Sequence, residues 1–268
     1  MPLNNPPLVS ESGLVLSDLT TANASTSAHG FQKKLSGSPL DFVRGDGSQL
    51  PWLIYPVWAC DFLGNTGNVH APWSSVIVGT GGQIFYGTGL ASNPGIAKMY
   101  CGTVSGGGWL ISTQNTAFLL SGGETTNIIF ELDVTTGTTV YAGFHNATAL
   151  TVPTYGVYLD ITGTAAYGRA HNNCTSPPTL ETSTGSAATL TTGVYYRLNI
   201  TLNLACTLAT FTIYTCSTGA VLWTDTVAAN FPAAACGHGI LLSSTASSSV
   251  STVKLDYMDI CINRALVR

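Results

Sequence analysis

Glu131 and Asp133 are the residues whose types and spacing most directly suggest catalysis. They flank Leu132 in a run where apolar and polar side chains alternate. Because side chains two apart on a β-strand share a face, this spacing places two carboxyl groups side by side. Retaining glycoside hydrolysis needs two carboxyl groups about 5–5.5 Å apart, one as nucleophile and one as acid/base. The pair is therefore a candidate catalytic site, and a pair of solvent-facing carboxylates is the alternative.

The sequence around this pair resembles the motif of jelly-roll glycoside hydrolases of the laminarinase type, which reads E-x-D-x-x-E or E-x-D-x-E. In those enzymes the first Glu is the nucleophile and the last Glu is the acid/base. The last position is Thr135 or Thr136 in this chain, so the proton donor is missing. We therefore expect no enzymatic activity and solvent-facing Glu131 and Asp133. A polysaccharide depolymerase is the less favoured alternative, since it needs a second acid near Glu131.

The remaining chemistry-bearing residues form no catalytic or metal-binding pattern. The five histidines do not pair at metal-ligand spacing, and His145 and His171 are predicted to lie in loops, where either could line a ligand groove. The seven cysteines include no C-x-x-C pair, and we expect all of them to be reduced and most of them to be small core residues. The glycine-rich stretches 79–89 and 102–108 lack the lysine of a phosphate loop. No cofactor and no metal site is predicted.

Aromatic residues are the last candidates for a binding site. Tryptophans concentrate in the first part of the predicted sandwich, at Trp52, Trp58, Trp73 and Trp109. If these rings are exposed, they suit stacking on a sugar or a subunit interface, and core packing is the competing interpretation.

The elements that must position these residues are β-strands. Apolar side chains alternate with polar ones in residues 127–135, 155–162 and 195–204, which is the pattern of a sheet with one buried face. The 195–204 segment has the clearest inward face, formed by Tyr196, Leu198, Ile200, Leu202 and Leu204. Near the end of the chain, Val253, Leu255 and Tyr257 share one face, but the apolar phase then shifts to Met258, which predicts a β-bulge. Up to fourteen strands fit residues 51–268, and without intervening helices they favour antiparallel pairing in two sheets.

Composition narrows the function classes. Only 8% of the 268 residues are charged, whereas about 25% is typical of globular chains. The net charge of −4 and the scattered basic residues argue against nucleic-acid binding. No apolar run approaches the ~20 residues of a spanning helix, so no membrane insertion is expected. The first residues show neither the basic nor the apolar region of a signal peptide, which predicts synthesis in a cytoplasm.

Residues 17–50 resemble a segment of bacteriophage virion proteins. That segment reads D-[IVL]-T-x-x-N-x-S-x-x-x-H-G-F-x-x-K-L-x-G and then F-L-x-G-D-G, and it occurs in tail-fibre, other appendage and minor structural proteins. The chain matches it from Asp18-Leu19-Thr20 through His29-Gly30-Phe31 to Phe42-Val43-Arg44-Gly45-Asp46-Gly47. It departs at the usual closing Trp, since Ser48-Gln49-Leu50-Pro51 precedes Trp52.

The resemblance implies that this segment anchors the chain to a particle and joins it into a trimer. The residues implicated in anchoring and oligomerisation are His29, Phe31, Leu35, Phe42, Gly45 and Gly47. Phe31, Leu35 and Phe42 would lie in a shared core near the threefold axis, and Gly45 and Gly47 would form a tight turn.

Residues 127–264 resemble the latter half of a concanavalin-A-like jelly roll, a fold common in phage appendages and in lectins. The matching features are Phe130-Glu131-Leu132-Asp133, Ala142-Gly143-Phe144, Tyr158-Leu159-Asp160, Tyr195–Leu204 and Leu255-Asp256-Tyr257.

The sequence thus predicts an all-β protein, a two-sheet antiparallel β-sandwich of the concanavalin-A-like jelly-roll type with an extended N-terminal anchoring arm. The predicted domains are an arm at 1–16, an anchoring and trimerisation segment at 17–50 and the sandwich at 51–268. The predicted function is that of a non-enzymatic structural protein of a tailed bacteriophage virion, as a fibre, tail, baseplate or capsid-decoration component. A receptor- or glycan-binding module for host attachment is the alternative. The predicted partners are further copies in a homotrimer, capsid, tail or baseplate proteins, and a host-surface glycan.

Overall fold

The structure is a computed structural model that describes residues 41–43, 49–51, 56–60, 73–78, 83–86, 95–101, 108–113, 117–133, 137–147, 152–172, 179–183, 185–244 and 252–262. The strands in these ranges are β1 (Asp41–Val43), β2 (Gln49–Pro51), β3 (Pro56–Cys60), β4 (Ser74–Val78), β5 (Gln83–Tyr86), β6 (Ala97–Tyr100), β7 (Gly108–Ser112), β8 (Glu124–Leu132), β9 (Thr138–His145), β10 (Tyr155–Thr162), β11 (Ala165–Asn172), β12 (Thr179–Thr182), β13 (Ala188–Thr189), β14 (Tyr195–Leu202), β15 (Ala209–Thr215), β16 (Val221–Val227), β17 (Gly237–Ser244) and β18 (Thr252–Ile262). The described ranges contain no helix.

The chain divides into two units, Met1–Tyr55 and Pro56–Arg268. In the first unit, β1 and β2 form an antiparallel pair in which Phe42 lies opposite Leu50. Of the residues implicated in anchoring, the other five lie outside the described residues: His29, Phe31, Leu35, Gly45 and Gly47. The arm, the trimerisation segment and the domain boundaries stay predictions.

The second unit is a sandwich of two eight-stranded sheets whose strand pairs are all antiparallel. Sheet I runs in the order β12-β11-β10-β9-β17-β7-β4, and β13 pairs with β11. Sheet II runs in the order β16-β15-β14-β8-β18-β6-β5, and β3 pairs with β18. One apolar cluster joins the facing sides of the two sheets, with Phe144 and Leu159 from sheet I and Phe130 and Leu198 from sheet II. The predicted all-β, two-sheet antiparallel sandwich is therefore confirmed.

The alternation in the sequence located the buried face of the central strands. On β14, Tyr196, Leu198, Ile200 and Leu202 are buried, while Arg197 and Thr201 are exposed. The prediction is wrong for Leu204, which is 71% exposed because β14 ends at Leu202 and the chain turns away from the sheet. The expected strand total was too low, since the described part of 56–262 contains sixteen strands, several of them only two to five residues long.

The predicted β-bulge is present on β18. Its pairing with β8 shifts register between Leu255 and Tyr257. Val253 and Leu255 face the core before the shift, and Met258 and Ile260 face it afterwards. The bulge therefore turns Tyr257 to the opposite face from Val253 and Leu255, although the sequence placed the three together.

A buried chain of hydrogen bonds crosses the apolar core between the sheets. The indole N–H of Trp73 donates to Nδ1 of His238 on β17 over 3.1 Å, and Nε2 of His238 lies 2.7 Å from the hydroxyl of Thr126 on β8. Because an indole N–H can only donate, Nδ1 must accept, so the neutral ring carries its proton on Nε2 and donates it to Thr126. Protonation of Nδ1 would set two donors against each other.

We expect the free energy of unfolding to fall on mild acidification. Burial lowers the pKa of His238 to about 3 and the pKa of His145 to about 4. The unfolded chain, with histidine pKa values near 6.5, binds more protons below that pH, so stability is complete above about pH 6.5 and is lost as the pH falls towards 4. Between pH 7.5 and 5.5 each histidine should remove about 1 kcal/mol.

Urea denaturation at a series of pH values measures this loss. His238→Gln should lower stability at neutral pH and flatten the pH dependence. Equal stability at pH 7.5 and 5.5 in the unaltered protein would contradict the buried neutral state of these rings.

Candidate functional site

The outer face of sheet II, the side turned away from the core, is the candidate site. Charged side chains are scarce in this chain, yet several lie on this face or at its margin: Lys98, Arg197, Lys254, Glu131, Asp133, Asp256 and Asp259. Strand register arranges its side chains in rows that run across the strands, because residues paired between antiparallel strands point to the same face.

The first row is charged. Lys98 on β6 pairs in register with Lys254 on β18, which pairs with Glu131 on β8, and Glu131 pairs with Tyr195 on β14. The ammonium group of Lys254 donates to Oε1 of Glu131. Lys98 forms a second ion pair with Asp133 just beyond the end of β8, at 3.5 Å. The cations and carboxylates of this charged row therefore neutralise one another.

The second row is the amphipathic row. Tyr257 on β18 lies opposite Ile129 on β8, followed by Arg197 on β14, Tyr214 on β15 and Val221 on β16. The guanidinium carbon of Arg197 lies 4.2 Å from the centroid of the Tyr214 ring, a cation–π contact. Arg197 and Val221 are exposed, and the other three residues are half-buried.

The third row is the polar row, comprising Asp259 on β18, Asn127 on β8, Asn199 on β14, Thr212 on β15 and Thr224 on β16. The Asn199 amide donates to the Asn127 side-chain oxygen at 3.1 Å, and the Asn127 amide donates to both oxygens of Asp259 at 3.1 Å. Burial raises the pKa of Asp259, although these hydrogen bonds oppose the rise. The result is a hydrogen-bonded side-chain network that links β18, β8 and β14.

The two carboxylates that suggested catalysis belong to the charged row. Asp133 is exposed, as expected, but the expectation of a solvent-facing Glu131 is wrong, because this residue is 5% exposed and is covered by Lys254. Burial opposes ionisation of Asp133, yet the nearby Thr252 hydroxyl and the charges of Lys254 and Lys98 hold the pKa of its carboxyl below its usual range. Each of the two carboxylates forms an ion pair with a lysine.

Of the four candidate tryptophans, Trp73 has a described side chain, and that side chain lies apart from this face. Trp73 is 3% exposed and packs in the core, where it donates to His238, so its ring cannot stack on a surface sugar. Trp58 lies on β3 and Trp109 on β7, opposite Leu242 of β17. Trp52 lies outside the described residues.

The two loop histidines are in strands. His145 ends β9 and His171 lies on β11, and both pair in register with Gly156 of β10, so these hairpins extend further than their polar sequences indicated. His145 is buried, and its Nδ1 accepts a hydrogen bond from the backbone N–H of Ala147. The loop placement of both residues was therefore wrong.

The outer face of sheet I has a different character. Tyr141, Ala147, Tyr158 and Leu241 form a second buried apolar cluster on it. Beside this cluster Arg169 donates to Asp160 at 3.0 Å and lies 5.3 Å from the centroid of the Tyr167 ring. This face thus carries an arginine–tyrosine pair like that of sheet II.

Sequence reasoning missed the residues that form the amphipathic and polar rows. Strict alternation on β14 indicated that Arg197 and Asn199 face outward, but only the pairing of four strands brings them beside Tyr214, Asn127 and Asp259. Within the described part of the chain, no cluster of His, Cys, Asp and Glu could hold a metal ion. In the same part, no helix is long and apolar enough to span a membrane.

Comparison with known proteins places the sandwich in a described family. Residues 92–260 match the family described as SO2946-like, C-terminal domain. The crystal structure of a protein of unknown function, SO2946 from Shewanella oneidensis MR-1, superposes with a TM-score of 0.61 at 18% identity over 78% of this chain and 88% of that chain. No curated protein matches significantly.

Two further solved structures share the fold. The carbohydrate recognition domain of Emp47p has a TM-score of 0.51 at 13% identity, over 77% of this chain and 95% of that chain. A structure described with the endo-acting O-glycanases by which members of the human gut microbiota initiate mucin breakdown has a TM-score of 0.50 at 12% identity, over 78% of this chain and 100% of that chain. At these identities the likeness shows the fold alone.

We expect Glu131→Gln to destabilise the sandwich more than Asp133→Asn. Glu131→Gln leaves the Lys254 ammonium, whose side chain is 18% exposed, without its carboxylate, at a cost of about 1–3 kcal/mol. Asp133 is 42% exposed, and loss of its ion pair should cost less than about 1 kcal/mol. Urea denaturation compares the two variants, and equal effects would contradict the difference in burial.

Proposed function

The chain belongs to the SO2946-like C-terminal domain family, and we propose that its β-sandwich binds glycans without cleaving them and is displayed on a bacteriophage particle. The observation that carries the glycan-binding proposal is the outer face of sheet II. There the amphipathic row, with Arg197 over Tyr214, lies beside the hydrogen-bonded polar row of Asp259, Asn127 and Asn199. A row of apolar and planar side chains next to fixed amide groups matches the two sides of a sugar ring, one of C–H groups and one of hydroxyls.

Binding without hydrolysis follows from the charges on the same face. A retaining glycosidase needs one carboxyl with a raised pKa to protonate the leaving oxygen and a second one as nucleophile. Here Glu131 forms an ion pair with Lys254, and the Thr252 hydroxyl together with the charges of Lys254 and Lys98 lowers the pKa of Asp133. An acid with a lowered pKa is ionised at neutral pH and has no proton to give.

The solved structures of similar fold support the proposal at the level of the fold. One is named as a carbohydrate recognition domain and another is described with endo-acting O-glycanases, so this sandwich architecture accommodates sugars in other proteins. Because fold does not determine function, the proposal depends on the described face of sheet II.

The virion part of the proposal has a separate support in residues 17–50, whose His29-Gly30-Phe31 motif resembles that of phage appendage and minor structural proteins. We propose that this segment attaches the chain to capsid, tail or baseplate proteins and joins three copies. The low charge of the chain agrees with this arrangement, because an uncharged surface gives a monomer little protection against association.

We expect the full-length protein to bind at least one class of bacterial surface glycan and to release no reducing sugar from it. Arg197→Ala should weaken binding by at least about tenfold, since it removes both the guanidinium donors and the planar guanidinium surface that is exposed above the Tyr214 ring. A glycan array followed by calorimetry measures the binding, and a reducing-end assay measures hydrolysis. Reducing sugar released by the protein and abolished by Glu131→Gln would show an enzyme instead.

We also expect the full-length chain to be a homotrimer that depends on its N-terminal region. Light scattering at micromolar concentration should give three times the chain mass, and deletion of residues 1–50 should give a folded monomer, since the shared core of Phe31, Leu35 and Phe42 is removed. A full-length monomer would contradict trimerisation, and a trimer that survives the deletion would place the interface elsewhere.

A further inference from the structure

We propose that the ligand of the sheet II face is an uncharged, extended oligosaccharide that lies across the strands along the amphipathic row. This inference rests on the proposed glycan-binding function and assigns the class of glycan and its direction on the sheet. Three features of the described residues carry it: the length of the row, the pairing of charges beside it and the fixed hydrogen bonds of the polar row.

The length of the amphipathic row sets the size of the ligand. The row takes one residue from each of five adjacent strands, β18, β8, β14, β15 and β16. With neighbouring strands about 4.8 Å apart, Tyr257 and Val221 stand about 19 Å from each other. A single sugar ring covers only part of that distance, whereas a linear chain of several rings can contact the whole row.

The direction follows from how polarity varies over the face. Along the row, each residue offers apolar or planar surface: a tyrosine ring, the Ile129 side chain, the Arg197–Tyr214 stack and Val221. Along any one strand, the outward residues alternate in character, as on β8 from Asn127 through Ile129 to Glu131. An oligosaccharide that lay along a strand would therefore place apolar ring faces against a charged side chain at the next outward residue. An oligosaccharide that lay across the strands would keep its ring faces on the amphipathic row.

The paired charges beside the row make it a poorer site for an acidic ligand than for a neutral one. Lys254 is engaged by Glu131 and Lys98 by Asp133, so neither ammonium is free to attract a carboxylate or sulfate. The chain as a whole carries a net charge of −4, which adds no attraction for an acidic ligand. Arg197 lies on Tyr214 as a planar donor, which suits hydroxyl and ring oxygens of a neutral sugar.

The polar row supplies orientation. The hydrogen bonds from Asn199 to Asn127 and from Asn127 to Asp259, together with that from the Tyr257 hydroxyl to Asp259 at 3.1 Å, hold these groups in place without a ligand. A binding surface that is already ordered loses less side-chain entropy on binding. The sugar edge nearest this row would meet a fixed pattern of amide and hydroxyl groups.

Calorimetry on the full-length protein with oligosaccharide series tests the inference. The probes are linear glucan, mannan and galactan chains from the monosaccharide to about the hexasaccharide, with oligogalacturonides as the acidic series. At least one neutral series should gain about tenfold or more in affinity with length before it levels off near the length of the row. The acidic series should bind at least about tenfold more weakly than that neutral series.

Variants along the row test the direction. Val221→Ala, at an exposed end position, should weaken the longest chains and leave the shortest unchanged, and Tyr214→Ala should weaken all of them. The matched control is Tyr167→Ala on the outer face of sheet I. Tyr167 also makes a cation–π contact with an arginine, Arg169, and its removal should leave the affinity for every glycan unchanged. Circular dichroism confirms that each variant is folded.

Each outcome separates the inference from the proposed function. Binding that is complete with a monosaccharide, or stronger for oligogalacturonides, would overturn the inference and leave glycan binding intact. Loss of affinity in Tyr167→Ala but not in Tyr214→Ala would place the site on sheet I and overturn the inference. Failure of every glycan of a broad array to bind would overturn both proposals. A second result would also overturn both: if the protein without residues 1–50 self-associates in light scattering, and Tyr214→Ala and Val221→Asp each abolish that association, the sheet II face is an interface between copies of this chain.

Discussion

The hydrogen-bond chain from Trp73 through His238 to Thr126 is the interaction on which the arrangement of the two sheets depends. It is a polar connection through an apolar core, so it fixes β17 of sheet I against β8 of sheet II at one point, where apolar packing alone would tolerate sliding. The backbone of His238 is fixed as well, because its N–H donates to the Thr113 hydroxyl and its carbonyl accepts from the Thr113 N–H. Since β8 lies near the middle of sheet II, holding Thr126 on its inner side also holds Asn127 and Ile129 on its outer side.

The second constraint is the bulge on β18. One additional residue at Asp256 reverses which side chains face outward, so Lys254 stands before it and Tyr257 and Asp259 follow it on the same outer face. Without the bulge, Asp259 would point into the core, where an unpaired carboxylate is strongly unfavourable. With it, Asp259 lies opposite Asn127 and accepts hydrogen bonds from the Asn127 backbone and side chain and from Tyr257. The polar row exists because the bulge brings its acceptor to the face that holds its donors.

Three ion pairs in the described part of the chain compensate charges on the outer faces of the two sheets. Lys254 neutralises Glu131, Lys98 neutralises Asp133, and on the other sheet Arg169 neutralises Asp160. On the outer face of sheet II, both Lys98 and Lys254 are therefore paired with a carboxylate. Under the proposed glycan-binding function, shape, ring stacking and hydrogen bonding would be the means of recognition.

The sequence alone determined the fold class and the inner face of the main strands, because period-two alternation in segments such as Tyr196, Leu198 and Ile200 is local information and burial follows from it directly. It also predicted the bulge, because the apolar phase shifts within a few residues. The sequence did not show on which side of the bulge Tyr257 lies, and it did not show that Glu131 is buried. Each of these features depends on pairing with a strand more than a hundred positions away. The candidate site itself was decided by tertiary structure: Asn127, Arg197, Tyr214 and Asp259 are ordinary outward residues of four separate strands, and only strand pairing and register bring them into rows. Local patterns state which way a side chain faces, whereas its neighbours across the sheet are set by long-range pairing that no short segment encodes.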